Sequence, residues 1–82
     1  MEKDFLVTIL TPEKKLYEGR AVSLVVPCET GYWGILANHA PLIANIGRGK
    51  ISLRQKSGES REIQVEAKGF LEVLENNVTL LI

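Results

Sequence analysis

The sequence predicts an all-β fold, built as a two-sheet sandwich or a flattened barrel. Apolar and polar residues alternate along several short runs, which is the period of strands that bury one face. Turn-forming residues, mostly glycine, proline and asparagine, recur between these runs at intervals too short for long helices. We therefore expect short strands that pack around one core.

Composition limits what such a chain can do. The sequence has 82 residues, of which 45% are hydrophobic, so we expect residues 1–82 to form a single β-sandwich domain with one core. Ten basic residues balance ten acidic ones, whereas duplex-binding domains normally carry an excess of cations, and we expect no nucleic-acid partner. No apolar stretch approaches the roughly 20 residues of a membrane span, so we expect no direct membrane insertion.

The first third of the chain contains a run that differs from the others. Residues 5–10 are apolar on both faces, which suits a strand with a second buried surface. Residues 11–13 resemble a helix start, but Gly19 follows too soon for more than about one turn, so we expect a turn or a short extended segment. Residues 22–26 form an apolar stripe that Pro27 should end, since proline cannot donate to a strand ladder. Gly19 and Pro27 are both predicted breaks between strands.

Two hairpins are predicted in the second half. The first joins residues 51–53 to residues 63–67 through Gly58, which can supply the positive φ of a tight turn. The second lies within residues 71–82 and turns at Asn76-Asn77, a pair that tolerates left-handed geometry.

Catalytic chemistry finds little support in the sequence. Cys28 and His39 are the single thiol and the single imidazole, and they could act as nucleophile and base only if the fold brought them together. We favour a small structural cysteine, and for His39 a structural role and a contact role stay equally open. Zinc-ligand spacing and the glycine motifs of nucleotide-binding loops are absent. We expect no catalytic residue, no metal site and no cofactor.

Residues 31–42 form the most unusual segment. They hold Tyr32, the single Trp33 and His39 between glycines and a proline. Aromatic residues in a loop are frequent interface anchors, because they bury a large area at low entropic cost. For Trp33, an interface anchor and a plug at one end of the sandwich remain open, whereas Tyr32 is expected at the surface. A small-ligand domain that stacks its ligand on Tyr32 and Trp33 is the alternative functional hypothesis.

This segment also resembles a known family. Gly31-x-x-Gly34-Ile35, followed by Asn-His-Ala-Pro-Leu at residues 38–42, closely resembles the epsilon subunit of F-type ATP synthases (delta in mitochondria). The resemblance covers essentially the whole chain and extends, in order, through residues 5–12, residues 16–22, the turn at 47–49, Gly69-Phe70 and residues 77–80.

The resemblance implies a sandwich of about ten short strands and a non-catalytic role in the central stalk. There, the domain couples the gamma subunit to the membrane ring of c subunits during proton-driven ATP synthesis. Through that complex it would be held at the cytoplasmic face of a bacterial inner membrane, or at the stromal face in a plastid. Most members continue into a C-terminal helical hairpin that can brake the enzyme and, in some bacteria, binds ATP. This sequence stops at Ile82, so we expect no ATP binding and no strong inhibition from it.

The resemblance also implies which residues meet each partner. The side toward the c ring is expected at Glu29, Tyr32 and Trp33. Family members often carry an acidic residue where this chain has Tyr32, so the ring contact here would be aromatic or would use Glu29. The side toward gamma is expected at Thr11, His39, Leu42 and Ala44.

Overall fold

The computed structural model describes residues 3–82. Within this range the chain forms nine strands and no helix. The strands are β1 (Phe5–Leu10), β2 (Lys15–Ala21), β3 (Ser23–Cys28), β4 (Gly31–Ile35), β5 (Leu42–Ile46), β6 (Gly49–Arg54), β7 (Ser60–Val65), β8 (Gly69–Leu74) and β9 (Asn77–Leu81). The all-β prediction is confirmed, with nine described strands where about ten were expected.

The strands form one sheet that curls on itself. Their order is β2-β1-β9-β8-β5-β3-β6-β7, and β4 pairs with β3 on its other side. Strand β3 is the corner of this arrangement, because its first residues pair with β6 while Cys28 pairs with Ile46 of β5. Curling brings β2 against the β6–β7 hairpin, where Gln55 Nε2 donates a hydrogen bond of 2.9 Å to the Tyr17 hydroxyl. This half-barrel is consistent with the predicted sandwich.

The core lies on the concave side of the sheet. Alternate residues of each strand point there, as the burial pattern of β1 shows. Fully burying one such side chain contributes about 1.5–3 kcal/mol. The large side chains with the least exposure include Phe5, Ile9, Leu24, Ile35, Ile46, Ile51, Leu71 and Leu80.

Both predicted hairpins are confirmed. In the first, Ile51 pairs with Ile63, and Gly58 in the turn has a φ of 97°. In the second, Leu74 pairs with Asn77, so the two-residue turn consists of Glu75 and Asn76, with φ values of 49° and 62°. Two left-handed residues match the twist of a hairpin. The turn therefore begins one residue earlier than predicted.

The two breaks predicted at Gly19 and Pro27 are wrong. Strand β2 continues through Gly19, where the missing side chain leaves room for the Tyr17 ring, since a Cβ there would lie 2.6 Å from the Tyr17 hydroxyl. Strand β3 continues through Pro27, whose carbonyl accepts a hydrogen bond of 2.8 Å from the Gly47 N–H. An acceptor contact of this kind needs no amide hydrogen on the proline.

Candidate protein-binding surface

Tyr32 and Trp33 lie on strand β4 and not in a loop, so the expectation of an aromatic loop is wrong. Four of the five residues of β4 are exposed, and the described part of the chain pairs this strand with β3 alone. Tyr32 is 63% exposed and stands opposite Pro27, as the surface prediction requires. Because neighbouring residues of a strand project to opposite faces, the rings of Tyr32 and Trp33 do not form one stacking platform.

Trp33 lines a groove that brings together some residues of both predicted interface sets. Glu29, Thr30 and Trp33 form one wall, and residues 42–45 of β5 form the other. The predicted ring-side residues Glu29 and Trp33 therefore face Leu42 and Ala44, which were predicted on the gamma side. Trp33 is 36% exposed, so its ring is neither a fully buried plug nor a freely projecting side chain.

Glu29 lies close to two neighbouring polar side chains. Its Oε1 accepts a hydrogen bond of 3.5 Å from Asn45 Nδ2, and its Oε2 lies 3.6 Å from Lys68 Nζ. The backbone of Glu29 also donates to the Asn45 carbonyl at 3.2 Å. The carboxylate thus lies at the rim of the groove with an exposed cation beside it.

His39 lies in the β4–β5 connection, residues 36–41, which we call the His39 loop. Its Nδ1 lies 2.7 Å from the Ala40 carbonyl oxygen. The loop is tied to the β8–β9 turn through the preceding residue, because the Asn38 N–H donates to Asn76 Oδ1 at 2.6 Å and Asn76 Nδ2 donates to Asn38 Oδ1 at 3.0 Å. Sequence reasoning identifies Asn76 as a turn residue but misses this pairing, because the two asparagines are 38 positions apart.

Thr11 lies at the opposite end of the sheet from His39. The Thr11 N–H donates to the Lys14 carbonyl at 2.8 Å, which closes the predicted turn just after β1. The β8–β9 turn, which is hydrogen-bonded to the His39 loop, lies beside the start of β1 instead. There the Leu6 N–H donates to the Asn76 carbonyl at 2.9 Å. The six residues of β1 span roughly 17 Å between these two points.

The convex side of β5, β8 and β9 carries four exposed apolar side chains around the exposed Glu72, which stands opposite Ile43 and Thr79. We call these residues the apolar face: Ile43, Phe70, Leu74 and Leu81, with exposures of 75%, 57%, 50% and 45%. Strand register makes Phe70 and Leu81 direct neighbours and places Leu10 beside Leu81. Exposed apolar patches bordered by polar residues are characteristic of protein interaction sites.

A shallow apolar recess of about 470 Å³ lies at one end of this face. Pro41 of the His39 loop forms part of its wall, together with Ile43 and Leu74. Of the four apolar-face residues, Ile43 lies between Leu42 and Ala44, which were predicted on the gamma side, whereas Phe70, Leu74 and Leu81 were not singled out as contacts. The available signal was the presence of apolar residues at both odd and even positions of several strands, which a one-sided sheet does not need.

The structure does not bring Cys28 and His39 together. Cys28 pairs with Ile46 at one end of β5, whereas His39 precedes the other end at Leu42, roughly 13 Å of strand away. Burial raises the pKa of the Cys28 thiol, which disfavours the reactive thiolate. Residues 3–82 contain no group of three side chains that could hold a metal ion. In the same range, no helix has the length and apolar character needed to cross a membrane.

Comparisons with known proteins agree with this fold. The ATP synthase epsilon chain of Leptospira borgpetersenii is 48% identical over 75 residues, which cover 92% of this chain and 58% of that protein. The chloroplastic epsilon chain of Chlamydomonas reinhardtii is 40% identical over 79 residues, covering 92% of this chain and 56% of its own length. This chain therefore spans a little over half the length of these relatives.

Solved structures show the same fold at lower identity. A chain in the Euglena gracilis mitochondrial ATP synthase matches with a TM-score of 0.88 at 15% identity, covering 95% of this chain and 49% of that one. A chain in the central stalk and c-ring structure of the Tetrahymena thermophila enzyme matches with a TM-score of 0.76, also at 15% identity, covering 98% and 63%. Residues 4–82 match the family described as ATP synthase, Delta/Epsilon chain, beta-sandwich domain, and the chain belongs to that family.

Proposed function

We propose that this chain is a non-catalytic part of the central stalk of an F-type ATP synthase, where it links the gamma subunit to the c ring during proton-driven ATP synthesis. The apolar face is the observation that carries this proposal. Exposing Ile43, Phe70, Leu74 and Leu81 on one side of a small sheet is unfavourable unless another surface covers them. Membership of the delta/epsilon family supplies the class of partner.

We assign the gamma subunit to the apolar face. Thr11 and His39, two residues expected on the gamma side, lie at opposite ends of this part of the sheet, so a partner that touches both would lie along the face. Leu42 and Ala44 belong to β5 and pack against the core, whereas Ile43 between them projects to the apolar face. The gamma contact would therefore combine the four apolar side chains with Glu72 among them and with polar residues at both ends.

We assign the c ring to the end of the molecule formed by the β3–β4 hairpin. Glu29 and Trp33 face the groove beside β5, and Tyr32 projects from the opposite face of β4. A partner that grips this hairpin can contact both faces of β4 because its outer edge is open in the described residues. An aromatic contact at Tyr32 would bury its ring while its hydroxyl stays packed near Gly49.

Under this proposal the chain transmits torque through protein contacts and catalyses no reaction itself. It would be held at the membrane by the complex, on the cytoplasmic side in a bacterium or the stromal side in a plastid. No nucleic acid and no cofactor take part in this role.

The test is direct binding to the gamma subunit encoded by the same genome. The two purified proteins, each at about 10 μM, should elute together from a size-exclusion column, because durable interfaces bury about 1,200 Å² or more. Separate elution of the two proteins at this concentration would contradict the proposed function. A c-ring preparation added to the complex should then shift its elution further, and substitution of Tyr32 or Trp33 by alanine should reduce that second shift.

A further inference from the structure

We infer that Asn76 is a positioning residue of the gamma-binding surface: acting through Asn38, it holds the His39 loop in the shape that the partner meets. This inference rests on the proposed function and adds a residue that touches no partner. It assigns a role to the β8–β9 turn, which otherwise serves only to reverse the chain.

The contact is reciprocal and specific to two amide side chains. The Asn38 N–H donates to Asn76 Oδ1 at 2.6 Å, while Asn76 Nδ2 returns a bond of 3.0 Å to Asn38 Oδ1. Asn38 and Asn76 both adopt left-handed backbone conformations, with φ values of 65° and 62°. Asparagine tolerates this conformation better than most residues. Both positions can therefore adopt it without a glycine and still carry a side-chain amide.

The anchor at the other end of this contact is rigid. Asn76 belongs to a two-residue turn closed by the Leu74–Asn77 pair. Its carbonyl also accepts the Leu6 N–H at 2.9 Å, which ties the turn to the start of β1. The hydrogen bond of the His39 ring to Ala40 stays inside the loop, whereas the asparagine pair connects the loop to two strands of the sheet.

The loop shape matters because the loop borders the apolar face. Pro41 lines the recess beside Ile43 and Leu74, and Leu42 begins β5 directly afterwards. A loop released from Asn76 would have to be ordered again when gamma binds, and ordering residues at an interface lowers affinity. The asparagine pair thus holds Pro41 of the recess wall and His39 in their binding positions before gamma binds.

Three variants separate this role from a general loss of stability. Asn76→Gly removes the amide and keeps the left-handed turn accessible. Asn76→Asp keeps an oxygen to accept the Asn38 N–H and replaces the Nδ2 donor by a second acceptor, which the Asn38 side chain can match by turning its amide over and donating through Nδ2. The matched control is Glu75→Gly, which makes the same kind of change at the other left-handed residue of the turn, with a φ of 49°, and leaves the Asn38–Asn76 pair untouched.

Each protein is measured for gamma affinity by calorimetry and, without a partner, for hydrogen exchange at the Asn38 amide. We expect Asn76→Gly to bind gamma about 5- to 10-fold more weakly and to exchange the Asn38 amide at least about 10-fold faster. Asn76→Asp should recover affinity to within about 2-fold of wild type, since the shorter of the two bonds survives. Glu75→Gly should behave as wild type in both measurements.

The measurements distinguish failure of the proposed function from failure of this inference. A wild-type chain that does not bind gamma contradicts the proposed function, and this inference falls with it. A wild-type chain that binds, together with an Asn76→Gly variant that binds equally tightly, overturns the inference alone. A Glu75→Gly variant as weak as Asn76→Gly would also overturn it, because the loss would then come from the turn as a whole.

Discussion

The β6–β7 and β8–β9 hairpins are built alike on their inner sides and differ on their outer sides. Both bury aliphatic residues in the common core. The outer pairs of β6–β7 are Lys50–Gln64, Ser52–Glu62 and Arg54–Ser60. The outer pairs of β8–β9 are Phe70–Leu81, Glu72–Thr79 and Leu74–Asn77. The inner similarity reflects what the fold needs, and under the proposed function the outer difference marks the side on which we expect the partner.

Substitutions at two neighbouring residues of β8 should distinguish most clearly between what folding requires and what partner binding requires. Leu71 is fully buried, whereas Phe70 next to it is on the apolar face. We expect Leu71→Ala to lower the free energy of unfolding by about 2–5 kcal/mol through lost burial and a cavity. Phe70→Ala should change it by less than about 1 kcal/mol. Urea unfolding of both variants measures the contrast, and equal losses would mean that the apolar face is part of the core.

The second prediction concerns binding. Ile43→Asp places a charge at the most exposed residue of the apolar face, and we expect it to weaken gamma binding by about 2–4 kcal/mol, as at an interface hot spot. Ser52→Asp introduces the same charge on the polar outer side of β6 and serves as the matched control. Affinities from titration calorimetry should fall for Ile43→Asp alone. Equal affinities for the two variants would move the gamma contact away from the apolar face.

How much of the fold could be predicted from the sequence depends on how far apart the contacting residues are in the chain. The two hairpins were predictable because their pairs are local and their turns contain Gly58 or Asn76. The breaks at Gly19 and Pro27 were mispredicted because tertiary contacts override local preferences: the Tyr17 ring fills the space at Gly19, and an acceptor contact suffices at Pro27. Tyr32 and Trp33 were placed in a loop because the flanking glycines hid the strand β4.

The candidate site also has a part that could be predicted from the sequence and a part that could not. The family resemblance supplied Glu29, Trp33, Leu42 and Ala44, but their meeting in one groove depends on the corner at β3. The apolar face could be predicted only in part: apolar residues at both odd and even positions were a signal, but which of them lie side by side depends on the pairing of β5 with β8. Two other strands separate β5 from β8 in the chain, so no local turn fixes their register.

A third prediction concerns the hydrogen bond between Tyr17 of β2 and Gln55 of the β6–β7 turn, which joins the two ends of the curled sheet. Tyr17→Phe deletes the hydroxyl that accepts the 2.9 Å hydrogen bond from Gln55, while the Arg61 guanidinium can still lie over the ring, 5.4 Å from its centroid. We expect a loss of about 0.5–1.5 kcal/mol in unfolding free energy. Thermal unfolding measures it, and gamma affinity should not change. An unchanged melting temperature would show that the sheet stays curled without this bond.

The smallest effect is expected where the polar outer side is most strongly charged. Lys50 Nζ lies 3.4 Å from Glu62 Oε1, and both side chains are more than half exposed. Glu62→Gln should therefore lower the unfolding free energy by no more than about 0.5 kcal/mol, and added salt should erase the difference. Gamma affinity should stay at the wild-type value, because a solvated ion pair outside an interface contributes nothing to binding. A clear loss of affinity would mean that the partner also covers β6 and β7, and the difference between the two outer sides would then no longer mark a single interface.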